Sequence, residues 1–158
     1  MKQSVDICVL VCRRAEFTKI CFERLIQNTD WSLVNQIIIV HDMPLCKESK
    51  EIKVATQKED IKCQDFLKGQ IEILEKKGIK VYYKEVCFGS VARCQKYAME
   101  ISTSEYFLKV DSDVAMGEGY LPKLLETMES YKELVVLGYG LKDRFRTISS
   151  GTSPLLMA

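Results

Sequence analysis

The sequence predicts one α/β domain built on a doubly wound, mostly parallel sheet with helices on both faces, and three observations predict it. Apolar runs alternate with segments of helical period along the chain. The first runs are apolar at consecutive positions, as strands covered on both faces are. No internal repeat, low-complexity tract or linker divides the 158 residues, a length that suits a single core.

The elements follow in order. Val5 to Cys12 is the first buried strand, and Phe17, Cys21 and Leu25 then recur at helical spacing as far as Asn28. Val34 to Val40 repeats the strand pattern, with four β-branched residues ending it, and His41-Asp42-Met43-Pro44 stops it because proline donates nothing to a ladder. Residues 45 to 58 are polar and rich in lysine. Ile61, Phe66, Leu67, Ile71 and Leu74 then mark a helix that Gly78 closes. A strand from Ile79 to Lys84 leads past Gly89 into a helical face of Val91, Cys94, Ala98 and Ile101. Glu105 to Val110 is a further strand. Leu121, Leu124, Leu125 and Met128 form a last amphipathic stripe, with Pro122 near its first turn, and Glu133 to Leu137 is the final apolar run. From Tyr139 onward little pattern remains; Gly138, Gly140, Gly151 and the Ser/Thr-rich end predict a mobile tail over 139–158.

Composition narrows the function. With 23 basic against 22 acidic residues the chain has no basic field for nucleic acid or an anionic membrane. Its longest apolar stretches, Ile7 to Cys12 and Ile37 to Val40, fall far short of the roughly 18 residues of a membrane helix. A signal peptide is not expected either, since Asp6 interrupts the approach and Arg13-Arg14 stands where small residues would precede cleavage. Seven cysteines, an odd number without a CxxC pair, form neither a zinc spacing nor a closed disulfide set. They fit small core hydrophobes in a reducing cytoplasm, with the single histidine, His41, an unconvincing partner for a catalytic thiol.

In an open parallel sheet, ligands bind beyond the carboxyl ends of the strands, where strand order reverses. The loops to inspect therefore begin at Cys12, His41 and Asp111, and they bring Arg13, Arg14, Asp42 and Asp111-Ser112-Asp113. Neither a Walker loop nor a GxGxxG turn is present, which disfavours a P-loop nucleotidase and a standard dinucleotide domain. Two carboxylates one residue apart at a strand end repel each other until a cation or hydrogen-bond donors relieve them. Mg2+ or Mn2+ suits such oxygen ligands and keeps positions open for a diphosphate. A bare Asp-x-Asp also caps turns and helices, but its place after the buried strand ending in Lys109-Val110 favours the cation.

Ile7-Cys8-Val9-Leu10-Val11-Cys12-Arg13, Ile37-Ile38-Ile39-Val40-His41-Asp42 and Ser104-Glu105-Tyr106-Phe107-Leu108-Lys109-Val110-Asp111-Ser112-Asp113, in that order, resemble the nucleotide-binding half of family 2 glycosyltransferases and their relatives. The resemblance covers residue 4 to about residue 138 and implies the Rossmann-like glycosyltransferase A-type fold, shortened at its C-terminus. It implies that the end of the first strand (Cys12, Arg13) and Asp42 hold the nucleoside. Asp111 and Ser112 would lie at the ribose or a metal-bound water, and Asp113 at the cation, with Asp111 as a second metal ligand. The family's paired aspartates after the second strand are here His41-Asp42, so His41 would stack or hydrogen-bond near the base or serve as a structural loop histidine. Ala92-Arg93-Cys94 resembles the family's Ala-Arg-Asn, although a gapless count from Asp111 puts Gln95 at the arginine's position. Arg93 is thus either a diphosphate or base contact or a solvated helix charge; Arg13 and Arg14 carry the same two readings.

The function implied is metal-dependent transfer of a hexosyl group, with inversion, from a nucleoside-diphosphate sugar, a UDP-sugar favoured, to an acceptor hydroxyl. The family's acceptor elements and carboxylate base usually follow the Asp-x-Asp, and here Asp143 is the candidate base, against a solvent-facing turn aspartate. Two alternatives stay open. One is a sugar-nucleotide-binding module that needs another chain or copy to act; the other is a nucleotidyltransferase, whose glycine-rich activating loop near the first strand is absent.

Overall fold

The computed structural model describes residues 5–43, 50–130, 136–138 and 155–157. Strands β1 (Val5–Val11), β2 (Val34–Asp42), β3 (Lys80–Val86) and β4 (Tyr106–Asp111) pair in parallel in the order β3-β2-β1-β4. Short strands β5 (Val136–Gly138) and β6 (Leu155–Met157) extend the sheet beyond β4, β6 pairing antiparallel with both β4 and β5. Helices α1 (Ala15–Asn28), α2 (Lys50–Lys76), α3 (Val91–Ile101) and α4 (Tyr120–Ser130) connect or follow the parallel strands, and a 3-10 turn at Trp31–Leu33 precedes β2.

Strand alternation divides the core into two layers. Val5, Ile7, Val9, Val11, Ile37, Ile39, Leu108 and Val110 face α1, α2 and α4, where Phe22, Leu25, Leu67, Leu74, Leu121 and Leu125 meet them. Cys8, Leu10, Ile38, Val40 and Phe107 face α3, through Cys94 and Ala98. Consecutive residues of β1 and β2 are buried because both faces are covered, which explains their unbroken apolar runs.

The predicted elements recur with three differences. Helix α2 begins at Lys50, well before its apolar marks; its early turns leave Val54 and Ile61 exposed, so no buried stripe announces them. The last predicted strand is Val136–Gly138, residues 131–135 lying outside the described residues. Leu155–Met157 is a strand that the tail's composition did not reveal. The expected mobile tail falls mainly on 139–154, outside the described residues, as does Asp143.

The N-terminal rim of the sheet is tied by one carboxylate. Asp6, fully buried, accepts six hydrogen bonds: from the side chains of Asn35, Gln36, Ser102 and Ser104 and from the backbone N–H groups of Thr103 and Ser104. It joins β1 and β2 to the α3–β4 loop, and so fixes where β4 starts and, five residues on, where it delivers Asp111.

Candidate functional site

Strand order reverses between β1 and β4, and in open parallel sheets it is beyond the carboxyl ends of such strands that ligands bind. Leu10 of β1 lies opposite Asp111 of β4, and the Ser112 N–H donates to the Leu10 carbonyl at 3.2 Å. The Val114 N–H then returns to the Asp111 carbonyl at 3.0 Å, closing a tight turn with Ser112 and Asp113 at its centre. Cys21 Sγ also reaches the Asp111 carbonyl, at 3.7 Å, and Asn28 Nδ2 holds the Met116 carbonyl at 2.7 Å. Helix α1 therefore positions the turn from beneath.

Both carboxylates of the turn meet cations supplied by the chain. Asp111 Oδ2 accepts from Lys109 Nζ at 2.8 Å, and Asp113 Oδ2 from Arg14 Nη1 at 3.0 Å. Lys109 is buried although charged; alternation turns it to the α3 face, opposite Cys8, where its ammonium stands under the rim. A lysine inside a strand that otherwise reads as core was the visible signal for this pair, because lysine is almost never buried without a partner. Arg14 arrives from an unusual backbone. Arg13 and Arg14 both hold positive φ, 56° and 57°. Each such non-glycine residue costs about 1 kcal/mol or more, so the segment persists only because its surroundings fix it. Thr18 Oγ1 donates to the carbonyls of both, Arg13 Nε lies 3.8 Å from Asp60 of α2, and Arg14 reaches Asp113.

The second loop is built around a buried carboxylate. Asp42 is buried, and Oδ1 accepts from the N–H groups of Phe88 and Gly89 while Oδ2 accepts from the Ser90 N–H and Cys94 Sγ. Four donors fill the acceptor capacity of a carboxylate. Asp42 thereby organises the β3–α3 loop and the start of α3. His41, the residue before it in β2, turns to the opposite face. It is fully buried on the α2 face, with Nδ1 3.2 Å from the Tyr83 hydroxyl, which donates to Glu85; Gln64 of α2 donates to the same carboxylate. Burial pushes the imidazole below its ordinary range. The Tyr83 hydroxyl holds the ring within the sheet's α2 side. Arg93 is exposed in the first turn of α3, its N–H donating to the Ser90 side chain. Cys12 is exposed at the end of β1 beside Arg13.

Three of the buried thiols are held protonated. Burial, then the negative charges of Asp113 and Asp111, pushes Cys21 up to about 12, and Cys63 and Cys94 rise to about 11 and about 12, burial again leading. Protonated thiols are poor nucleophiles and poor metal ligands. Oxygen donors remain: two carboxylates on one turn, Asp113 partly open to solvent, suit a hard divalent cation that keeps other positions for water and phosphate. Among the described residues no cluster of three or more metal-ligating side chains occurs, so protein ligation there would rest on the turn.

No family model and no curated protein matches the sequence. Solved structures do. Residues 1–349 of S. aureus TarS superpose with a TM-score of 0.63 at 13% identity, over 93% of this chain and 38% of that one. The same protein was solved with UDP-GlcNAc and with UDP. The mannosyltransferase PcManGT from Pyrobaculum calidifontis, in complex with GDP-Man and Mn2+, gives 0.66 at 10% identity, over 89% of this chain and 36% of that one. The chain has the glycosyltransferase A-type fold. The chain spans little more than a third of the length of these relatives in structure. No described helix is long and apolar enough to cross a membrane.

Proposed function

We propose that this chain forms the donor-binding part of a metal-dependent glycosyltransferase, which moves a sugar from a nucleoside diphosphate, UDP favoured, to an acceptor hydroxyl. The observation that carries the proposal is the Asp111–Val114 turn: it sets two carboxylates at the β1/β4 reversal of a fold whose relatives were solved with UDP-sugar, or with GDP-mannose and Mn2+. Asp113, the more open of the two, would hold Mn2+ or Mg2+ with Asp111 beside it. The cation would neutralise charge developing on the departing diphosphate.

The chain's own residues divide the remaining work. Asp42 and Asp111 both face the α3 side of the sheet, on strands flanking β1 and so on the order of 10 Å apart, two strand spacings. A nucleoside laid across β1 would place its base against the Phe88–Ser90 loop that Asp42 holds, and its ribose near Asp111 and Ser112. Cys12, Arg13 and Arg93 border that path, the arginines offering guanidinium groups to phosphate. Asp143 remains our candidate for the base that takes the acceptor proton, with inversion at the transferred sugar. The scattered thiols lead us to place the protein in the cytoplasm.

A second reading is donor binding without turnover until another chain completes the acceptor side. Thermal melting separates these outcomes when combined with a transfer assay. UDP, GDP, CDP and their sugars are tested with and without Mn2+, on wild type and Asp113→Ala. One nucleotide at about 100 times its Kd should raise the melting temperature by about 5–10 °C with Mn2+ present. Asp113→Ala should lose that gain. Sugar transfer supports the enzyme, binding alone the module, and identical melting under every condition contradicts both.

A further inference from the structure

The two cations that neutralise the acidic turn are held in different ways. Lys109 belongs to β4 itself and is 1% exposed, so its ammonium stays under Asp111 as long as the strand is formed. Arg14 reaches Asp113 from the β1–α1 connection, and its side chain is 56% exposed. Only the second can change partner without unfolding the sheet. A divalent cation approaching Asp113 meets the guanidinium already seated on Oδ2 at 3.0 Å, and like charges so close repel. Once displaced, the guanidinium stands beside the place where a diphosphate must lie to share that cation. Its planar fork suits phosphate oxygens.

Resting on the site assignment made above, we propose that Arg14 is an exchangeable counter-ion: it neutralises Asp113 while the donor is absent and passes to the donor's diphosphate when the metal takes Asp113. The backbone supports such a role. Positive φ at both Arg13 and Arg14 pins the connection, with Thr18 bonded to both carbonyls, so the main chain holds its place while the long side chain swings. The exchange couples the two ligands. Metal alone must displace Arg14 toward water; metal with a diphosphate displaces it onto a better partner, so each ligand strengthens the other.

The test measures two affinities on the full chain. Binding of Mn2+ alone is read from the paramagnetic resonance of the unbound ion, and binding of UDP at saturating Mn2+ is read by calorimetry. Wild type, Arg14→Ala, Arg14→Gln, Arg14→Lys and Asp113→Asn are compared. Arg14→Ala and Arg14→Gln should bind Mn2+ alone about two- to fivefold more tightly, the gain expected from removing an exposed ion-pair competitor. They should bind UDP about tenfold more weakly, since a charged hydrogen bond to phosphate is lost. Arg14→Lys should keep the wild-type affinity for Mn2+ and part of the affinity for UDP. Effects of opposite sign on the two ligands are the mark of the exchange, because a merely structural arginine would weaken both. Unchanged affinities, or losses on both, in variants that melt cooperatively would overturn the exchange and leave the site standing. Wild type that binds neither probe, or Asp113→Asn with undiminished Mn2+ affinity, would instead bring down the site assignment and the exchange with it.

Discussion

Replacing Asp6 with alanine should cost about 4 kcal/mol of stability, the largest effect expected of any single change far from the site. Six donors converge on this buried carboxylate, and truncation removes the acceptor common to all of them. Asp6→Asn should be nearly as costly, because its amide turns an N–H2 group toward donors. The carboxyl group also predicts a pH signature. Burial works to raise its pKa, but the hydrogen bonds from Ser104, Gln36, Asn35 and Thr103 together hold it below the ordinary aspartate range. A depressed folded-state value means that the stabilisation is complete above the unfolded value of about 3.9 and drains away as pH falls further, through the folded value. Urea unfolding of wild type and Asp6→Asn should therefore show a difference that is constant near neutrality and shrinks below about pH 4. A difference of under 1 kcal/mol at pH 7, or one that grows in acid, would remove this carboxylate as the tie of the N-terminal rim.

Lys109→Met should destabilise the chain by about 3 kcal/mol, for a different reason. Methionine fills the space of the lysine stem, so what is lost is the charge beneath Asp111, and breaking one side of a buried pair costs more than the pair contributes. Part of the loss should return with millimolar Mn2+, which would raise the melting temperature of the variant more than that of wild type. Adding Asp111→Asn to Lys109→Met should also recover stability, because the stranded charge is then gone; the double-mutant cycle measures that coupling. Full wild-type stability in Lys109→Met, or an equal response of both proteins to Mn2+, would show that the ammonium does not set the charge of the turn.

These two residues show what was legible in the sequence and what was not. Strands β1, β2 and β4 are readable because burial on both faces forces unbroken apolar runs, and helices α1, α3 and α4 because one face must pack while the other is wet. Leu155–Met157 is too short to carry a period, and its strand character comes from pairing with Phe107–Lys109, a partner remote in sequence. The Asp-x-Asp turn is legible because acidic residues at the end of a buried strand are chemically conspicuous. The role of Asp42 is not, since its partners Phe88, Gly89 and Ser90 donate through backbone N–H groups, which any residue type provides. The burial of His41 was not legible for a related reason: it stands one residue before the end of β2 and is still covered, so position near a strand end did not mean exposure. Lys109 stood in plain view within Tyr106-Phe107-Leu108-Lys109-Val110, and its interruption of the apolar run pointed to the charge it serves.

Crystals grown with Mn2+ and UDP, measured near the manganese absorption edge, test the central claim most directly. One anomalous peak is expected within about 2.3 Å of an Asp113 carboxylate oxygen, beside the diphosphate at the β1/β4 reversal. Nucleotide bound elsewhere, or metal density away from both Asp111 and Asp113, would contradict it.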